Sequence, residues 1–154
     1  MEVVDLPLFL FFAVPIAFVD AREYRIPDEL SLGGIAAFLV LHLLRAAVRP
    51  AWEGLAAGAL GFASFWIIGT ASGGRLGLGD AKLSALIAVA AGVGGWVVAL
   101  WIACLSALIH AFAVSRRGGS PGSLRIPFAP FLGLGGSMAV ALRVLGFGVL
   151  GRAL

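Results

Sequence analysis

The sequence contains few charged residues. Only 12% of its 154 residues are charged, whereas 61% are hydrophobic, and the mean hydropathy is +1.06. A soluble domain of this length could not bury so much apolar surface. Because lipid offers no partners to unpaired backbone groups, the apolar segments are predicted to be helices. The composition therefore predicts an all-α, multi-pass membrane protein that forms a single domain over residues 1–154.

Cysteine is almost absent. The single Cys104 excludes a disulfide and a cysteine-based zinc site within one chain. It lies in an apolar run and is expected to be a small buried apolar residue. Neither His42 nor His110 has a partner at the spacing of metal ligands, so each is expected to be a packed or interfacial residue. We therefore expect no metal and no cofactor.

Other patterns are missing as well. The N-terminus lacks the basic start of a cleaved signal peptide, since Glu2 and Asp5 precede the first apolar stretch. The glycine-rich stretch before Asp80 is not a phosphate-binding loop, because an acid follows Gly79 where that motif requires lysine. The net charge of +3 is small, so the basic residues serve as topology signals rather than as a nucleic-acid surface.

Six apolar segments are present. From Leu83 to Val114 there is no Asp, Glu, Lys or Arg in 32 residues, which is too long for one crossing of roughly 20 residues. We predict a break at Gly92-Val93-Gly94-Gly95. The six predicted transmembrane helices are Val3–Val19, Glu29–Val48, Gly54–Ala71, Asp80–Ala91, Trp96–Val114 and Phe128–Leu150.

The basic residues are distributed unevenly between the two ends of these helices. Seven of eleven lie in the connections 1–2, 3–4 and 5–6, and four lie at the opposite end. This bias predicts that the first set of connections is cytoplasmic and that both termini lie outside the cytoplasm. The connection Ser115–Ser123, rich in glycine and arginine, is predicted to be a mobile cytoplasmic loop.

Two acids stand out. Asp20 ends the first predicted helix and Asp80 begins the fourth, and the two intervening crossings return the chain to the same side. Two carboxylates that share a proton can activate water without a metal. Helix dipoles favour Asp80 as the base and Asp20 as the acid. Alternatively, each acid forms an ordinary ion pair, Asp20 with Arg22 or Arg25, and Asp80 with Lys82 or Arg75.

Three blocks of sequence surround these acids. The first is Asp20-Ala21-Arg22 with Arg25-Ile26-Pro27 and Leu30, and the second is Gly77-Leu78-Gly79-Asp80-Ala81-Lys82-Leu83. The third is Ile126-Pro127-Phe128-Ala129-Pro130-Phe131. In this order they resemble the type IV prepilin leader peptidases, including the archaeal preflagellin peptidases. These are membrane aspartic proteases with a Gly-x-Gly-Asp motif.

The resemblance implies a fold of six transmembrane helices, with Asp20 and Asp80 as the catalytic pair at the cytoplasmic face of the cytoplasmic membrane. It implies a prepilin-like or flagellin-like substrate, whose basic leader is cut before an apolar helix, usually after a glycine. The other motif residues that it marks as supporting the site are Gly77, Gly79, Lys82, Arg25, Pro27, Pro127 and Pro130.

The sequence also departs from the family's pattern. Asp28 stands where asparagine is frequent, and Ala129 where glycine is usual. Long bacterial members carry an additional N-terminal region with paired cysteines and methylate the new pilin N-terminus. With one cysteine, this chain is expected to be a short, peptidase-only form.

Two other functions fit the acids. A small proton-coupled transporter would use them as a relay, and a non-enzymatic pilus or secretion assembly subunit would pair them with arginines. The transporter is disfavoured because the two halves of the chain show no inverted-repeat symmetry. We expect prepilin-like membrane proteins and lipid as partners and no nucleic acid, while a homo-oligomer is left open.

Overall fold

The computed structural model describes residues 3–45, 51–73, 76–116 and 127–146. These ranges contain helices and connections but no strands, which confirms the all-α fold class. Five helices follow one another: α1 Asp5–Glu23, α2 Asp28–Leu44, α3 Ala51–Ala71, α4 Leu78–Arg116 and α5 Ala129–Val144. The prediction of six separate helices differs from this count, because the fourth and fifth predicted segments together form α4.

Helix α4 is nevertheless interrupted at the predicted place. Gly92 has φ 73° and ψ 171°, a conformation that is neither helical nor accessible to most other residues. The break divides α4 into a first half that ends at Ala91 and a second half that begins at Val93. On the far side of the bundle, the Arg143 guanidinium of α5 donates a hydrogen bond to the carbonyl of Ala90. This cation satisfies a carbonyl near the end of the first half.

The first half of α4 is the centre of the fold. Every residue from Leu83 to Ala91 is buried, because α2, α3 and α5 pack around this segment. An apolar surface on all sides suits a helix in such a position, as it also suits one that faces lipid. Helix α1 packs against α5 and α2 and completes the bundle.

A buried hydrogen-bond chain joins α3 to both halves of α4. The Ser84 hydroxyl donates to the carbonyl of Gly61 at 3.0 Å, and accepts a hydrogen bond from Trp96 Nε1 at 2.8 Å. Ser84 belongs to the first half of α4 and Trp96 to the second. The chain therefore fixes the two halves relative to each other across Gly92.

Small residues on α3 allow close helix packing. Gly54 contacts the His42 side chain of α2, and a Cβ on Gly58 would lie 2.6 Å from Val89 of α4. The spacing of these two glycines predicts such contacts. The His42 side chain therefore lies in the contact between α2 and α3.

Two of the helices are long and apolar enough to cross a membrane. They are Trp52–Ala71 and Leu78–Arg116, and α5 is a shorter apolar helix. Cys104 lies exposed on α4, so the expectation that it is buried is wrong. Large apolar side chains near it are exposed too, such as Trp101 and Leu108. An apolar sequence does not distinguish a side chain that faces other helices from one that faces lipid.

Several helix ends differ from the prediction. Helix α1 continues to Glu23, beyond the predicted end at Val19, and α2 ends at Leu44 rather than Val48. Helix α5 ends at Val144, whereas the prediction extended to Leu150. Most of the predicted loop Ser115–Ser123, together with both chain ends, lies outside the described residues.

Candidate active site

Asp20 lies in the last turn of α1. It is 6% exposed, and its Oδ2 accepts a hydrogen bond of 3.0 Å from the backbone N–H of Ala129. Ala129 is the first residue of α5, where backbone N–H groups have no partner within the helix. Tyr24 ends α1 in the left-handed conformation, with φ 52°, and its N–H donates to the carbonyl of Asp20. Hydrogen bonds therefore fix both the carboxylate and the backbone carbonyl of Asp20.

Asp80 lies in the first turn of α4 and is partly buried. Its Oδ2 accepts a hydrogen bond of 3.3 Å from the N–H of Gly77, the residue before the helix. An acid that reaches back in this way is half of a capping box. This capping role was not among the predictions, although the spacing Gly77-x-x-Asp80 is the signal that indicates it.

The two acids meet at one end of the bundle. The negative charge of Asp20 acts on Asp80, with a smaller effect than either burial or the hydrogen bond from Gly77. The elements that carry them are in direct contact, since a Cβ on Gly79 would lie 2.8 Å from the Cβ of Ile26. Glycine at position 79 thus lets the first turn of α4 approach the connection between α1 and α2.

Of the predicted ion-pair alternatives, those that involve Arg22, Arg25 and Lys82 do not form in the described part of the chain. Lys82 pairs with Asp28, with 2.7 Å between Nζ and Oδ1, and not with Asp80. The Arg22 guanidinium lies 4.1 Å from the centre of the Phe18 ring. Within the described ranges, no ion pair involves Asp20 or Asp80. Arg75, the other predicted partner of Asp80, lies outside those ranges.

The start of α5 is anchored by aromatic contacts. Phe128 stacks on Phe65 of α3 with ring centroids 6.5 Å apart, and Phe131 lies 5.5 Å from the His110 ring. Pro130, in the first turn, is typical of a helix start. Pro127 is half-buried just before it. The sequence predicts this start, but it does not predict that the N–H of Ala129 is directed at Asp20.

A cavity of about 330 Å³ lies between the end of α1 and the start of α2, and neither Asp20 nor Asp80 is among its lining residues. Val19, Glu23, Arg25, Pro27, Asp28 and Glu29 line it. Arg25 and Pro27, two of the predicted supporting residues, therefore face this space and contact neither Asp20 nor Asp80 by hydrogen bond. Asp28 belongs both to the cavity wall and to the ion pair with Lys82.

Both acids keep one carboxylate oxygen without a hydrogen-bond donor. Each acid uses Oδ2 to accept a backbone N–H, and in the described part of the chain neither Oδ1 accepts a hydrogen bond. In the same ranges, no cluster of three His, Cys, Asp or Glu residues is present. Two carboxyl groups with free oxygen atoms at one end of a bundle can serve as the acid and the base that activate a water molecule.

Comparison with known proteins decides the family. The profile of the type IV leader peptidase family matches residues 7–112, about two thirds of the chain. The chain belongs to the type IV leader peptidase family. A search of curated proteins found no match, and neither did a search of solved structures.

Membership of the leader peptidase family makes this chain a peptidase, and together with the two long apolar helices it indicates a membrane protein. The matched residues include Asp20, Asp80 and the whole contact between α1 and the start of α4. They end before α5, so the third block and its hydrogen bond to Asp20 lie outside the matched region.

Proposed function

We propose that this leader peptidase is a membrane aspartic endopeptidase, in which Asp20 and Asp80 activate one water molecule. A single observation carries the proposal. Two acids 60 residues apart in sequence interact at one end of the bundle, and no described basic side chain neutralises either of them. Acidic side chains without a basic partner are costly in a membrane protein, and where they are present they usually serve a function.

The chemistry follows from sharing a proton. The ionised carboxylate accepts a proton from water while the water oxygen attacks the scissile carbonyl carbon. The protonated carboxyl group donates its proton to the carbonyl oxygen. When the tetrahedral intermediate collapses and the C–N bond breaks, the protonated carboxyl group gives its proton to the leaving amine. A hydroxyl of the intermediate gives its proton to the other carboxylate, so the pair again holds one proton.

The hydrogen bonds of the two acids do not distinguish an acid from a base in the way that the helix dipoles predict. Asp80 lies at the start of α4, but Asp20 accepts the N–H of Ala129 at the start of α5. Both carboxylates therefore receive a donor from the positive end of a helix. A close pair of this kind titrates as a unit.

The substrate is a prepilin-like precursor with a basic leader and an apolar helix. Two helices, α2 and α3, separate Asp20 from Asp80 along the chain, and two crossings of the membrane return the chain to the side from which it started. The charge bias assigns that side to the cytoplasm, where the leader of the precursor would remain. The apolar helix of the precursor packs among the helices of the peptidase, and the new ends are released at the cytoplasmic face.

The test uses the purified protein in lipid nanodiscs with a synthetic substrate: a basic leader, a glycine, then an apolar helix. Asp20→Asn and Asp80→Asn should each lower kcat by about a hundredfold to ten-thousandfold, because each removes one member of the acid–base pair. The products are identified by mass spectrometry. Glu23→Gln is the matched control, since it removes an exposed acid one turn after Asp20.

Three results would be informative. One cut after the glycine, lost in both aspartate variants and kept in Glu23→Gln, supports the proposal. Cleavage that survives either aspartate substitution removes that residue from the catalytic pair. A folded wild-type protein that cuts no leader peptide would contradict the proposed activity.

A further inference from the structure

The ion pair between Asp28 and Lys82 joins the two segments that carry the acids. Asp28 is the first residue of α2, and only four residues, Tyr24–Pro27, separate α2 from α1. Lys82 follows Asp80 by two residues in α4. The pair therefore lies a short distance along the chain from both Asp20 and Asp80.

The environment of this pair argues against a role in stability alone. The Asp28 side chain is 60% exposed and that of Lys82 is 23% exposed. Ion pairs that are open to solvent contribute little to folding, because water already solvates both charges. The core formed by Leu83–Ala91 fixes the rest of this half of α4 without help from Lys82.

The ion pair between Asp28 and Lys82 restrains sliding of the two segments, which the nearby contact between Gly79 and Ile26 does not. Gly79 and Ile26 meet through apolar atoms, and such a contact resists separation more than it resists sliding. A 2.7 Å contact between Nζ and Oδ1 adds a directed bond one turn further along α4. Because the ammonium group of Lys82 binds Asp28, the charge of Asp80 is left without this basic partner.

We propose that Asp28 and Lys82 form a positioning pair that holds the α1–α2 connection against the start of α4 and so sets how Asp80 faces Asp20. Neither residue touches the reacting atoms. The proposal rests on the proposed peptidase function, because its consequence is the geometry of the catalytic pair.

The kinetic test is a double-mutant cycle with the leader peptide. Asp28→Asn and Lys82→Met should each lower kcat by about tenfold with little change in KM, since small misplacements of catalytic groups act on the chemical step. The double variant should lose no more than the worse single variant, because both changes break one interaction. Lys82→Arg, which keeps the pair, should restore most of kcat.

Glu29→Gln is the matched control for Asp28→Asn. It removes the same charge from the same first turn of α2, with the same loss of favourable dipole interaction, but Glu29 has no ion pair among the described residues. We expect its kcat to equal that of the wild type. Circular dichroism of every variant verifies that the helices are intact.

A second measurement does not depend on activity. Hydrogen–deuterium exchange of the peptide that spans Arg22–Leu30 should be faster in Asp28→Asn and Lys82→Met, and normal in Lys82→Arg and Glu29→Gln. If the wild type cleaves the peptide but the folded Asp28→Asn and Lys82→Met variants keep its kcat, the proposal is overturned. If the wild type fails to cleave, the peptidase function fails, and unchanged exchange in both variants would then overturn the positioning pair as well.

Discussion

Gly79 lies where the first turn of α4 meets the connection between α1 and α2. A Cβ at this position would lie 2.8 Å from the Cβ of Ile26 and 3.3 Å from two further atoms of that side chain. Gly79→Ala should therefore push Asp80 away from Asp20. An ångström of misplacement costs about a hundredfold in rate, so we expect kcat for the leader peptide to fall by about that factor.

Gly77→Ala is the control for this change within the same motif. A Cβ on Gly77 would meet only Asp80 Oδ2 at 3.7 Å and Gly79 N at 3.9 Å, which are ordinary contacts, and alanine keeps the N–H that Asp80 accepts. Its kcat should fall much less than that of Gly79→Ala. Equal losses in the two variants would show that the approach to Ile26 is not what position 79 requires.

At the level of single residues, the sequence predicts which acids meet but not what surrounds them. Counting crossings was enough to place Asp20 and Asp80 at the same end, since parity does not depend on side-chain conformation. The partners were not predictable in this way. Lys82 is near Asp80 in sequence, yet it pairs with Asp28, because residues two apart on a helix do not face each other.

The interrupted helix α4 depends on Ser84 and Trp96. Ser84 is fully buried, and its hydroxyl is the only described group that links Gly61 of α3 to Trp96 beyond the break at Gly92. Ser84→Ala removes both hydrogen bonds and leaves the indole N–H buried without its acceptor. An unsatisfied buried donor costs about 1–3 kcal/mol, and we expect the free energy of unfolding to fall by about that amount.

Ser106→Ala provides the comparison on the same helix. Ser106 also donates hydrogen bonds, but only to the carbonyls of Ile102 and Ala103 in its own helix. Its loss should change stability by about 0.5 kcal/mol or less, because those carbonyls keep their helical partners. Unfolding in mixed micelles, followed by circular dichroism, measures both variants. A Ser84→Ala variant as stable as Ser106→Ala would exclude a role for the hydroxyl in joining the two halves.

At the level of elements, composition and glycine placement predict most of the fold. The apolar runs and the break at Gly92 follow from length and from glycine's access to positive φ. The same features do not predict which segment packs at the centre of the bundle. The segment Leu83–Ala91 of the first half of α4 is buried on all sides, whereas much of the segment from Val93 to Val114 is exposed, and neither segment contains a charged residue. Hydropathy cannot separate a helix within the bundle from one that faces lipid.

The two ends of the molecule differ in charge and in chemistry. The end with Asp20 and Asp80 also carries the pair Asp28–Lys82, while the opposite end is closed by a 2.7 Å ion pair between Asp5 of α1 and Arg45 of α2. The first end carries the larger share of the basic residues. If this end faces the cytoplasm, the catalytic pair is on the side where the basic leader of a precursor is retained.

Cysteine accessibility tests this orientation for the whole molecule. In a Cys104→Ala background, Glu23→Cys marks the end with the acids and Trp52→Cys marks the opposite end, and both positions are exposed. A bulky, membrane-impermeant maleimide should label Trp52→Cys in spheroplasts and Glu23→Cys only in inverted vesicles. The unmodified protein should remain unlabelled in both, because Cys104 lies midway along the second half of α4. Labelling of Glu23→Cys from outside would place the acids on the wrong side for a cytoplasmic leader.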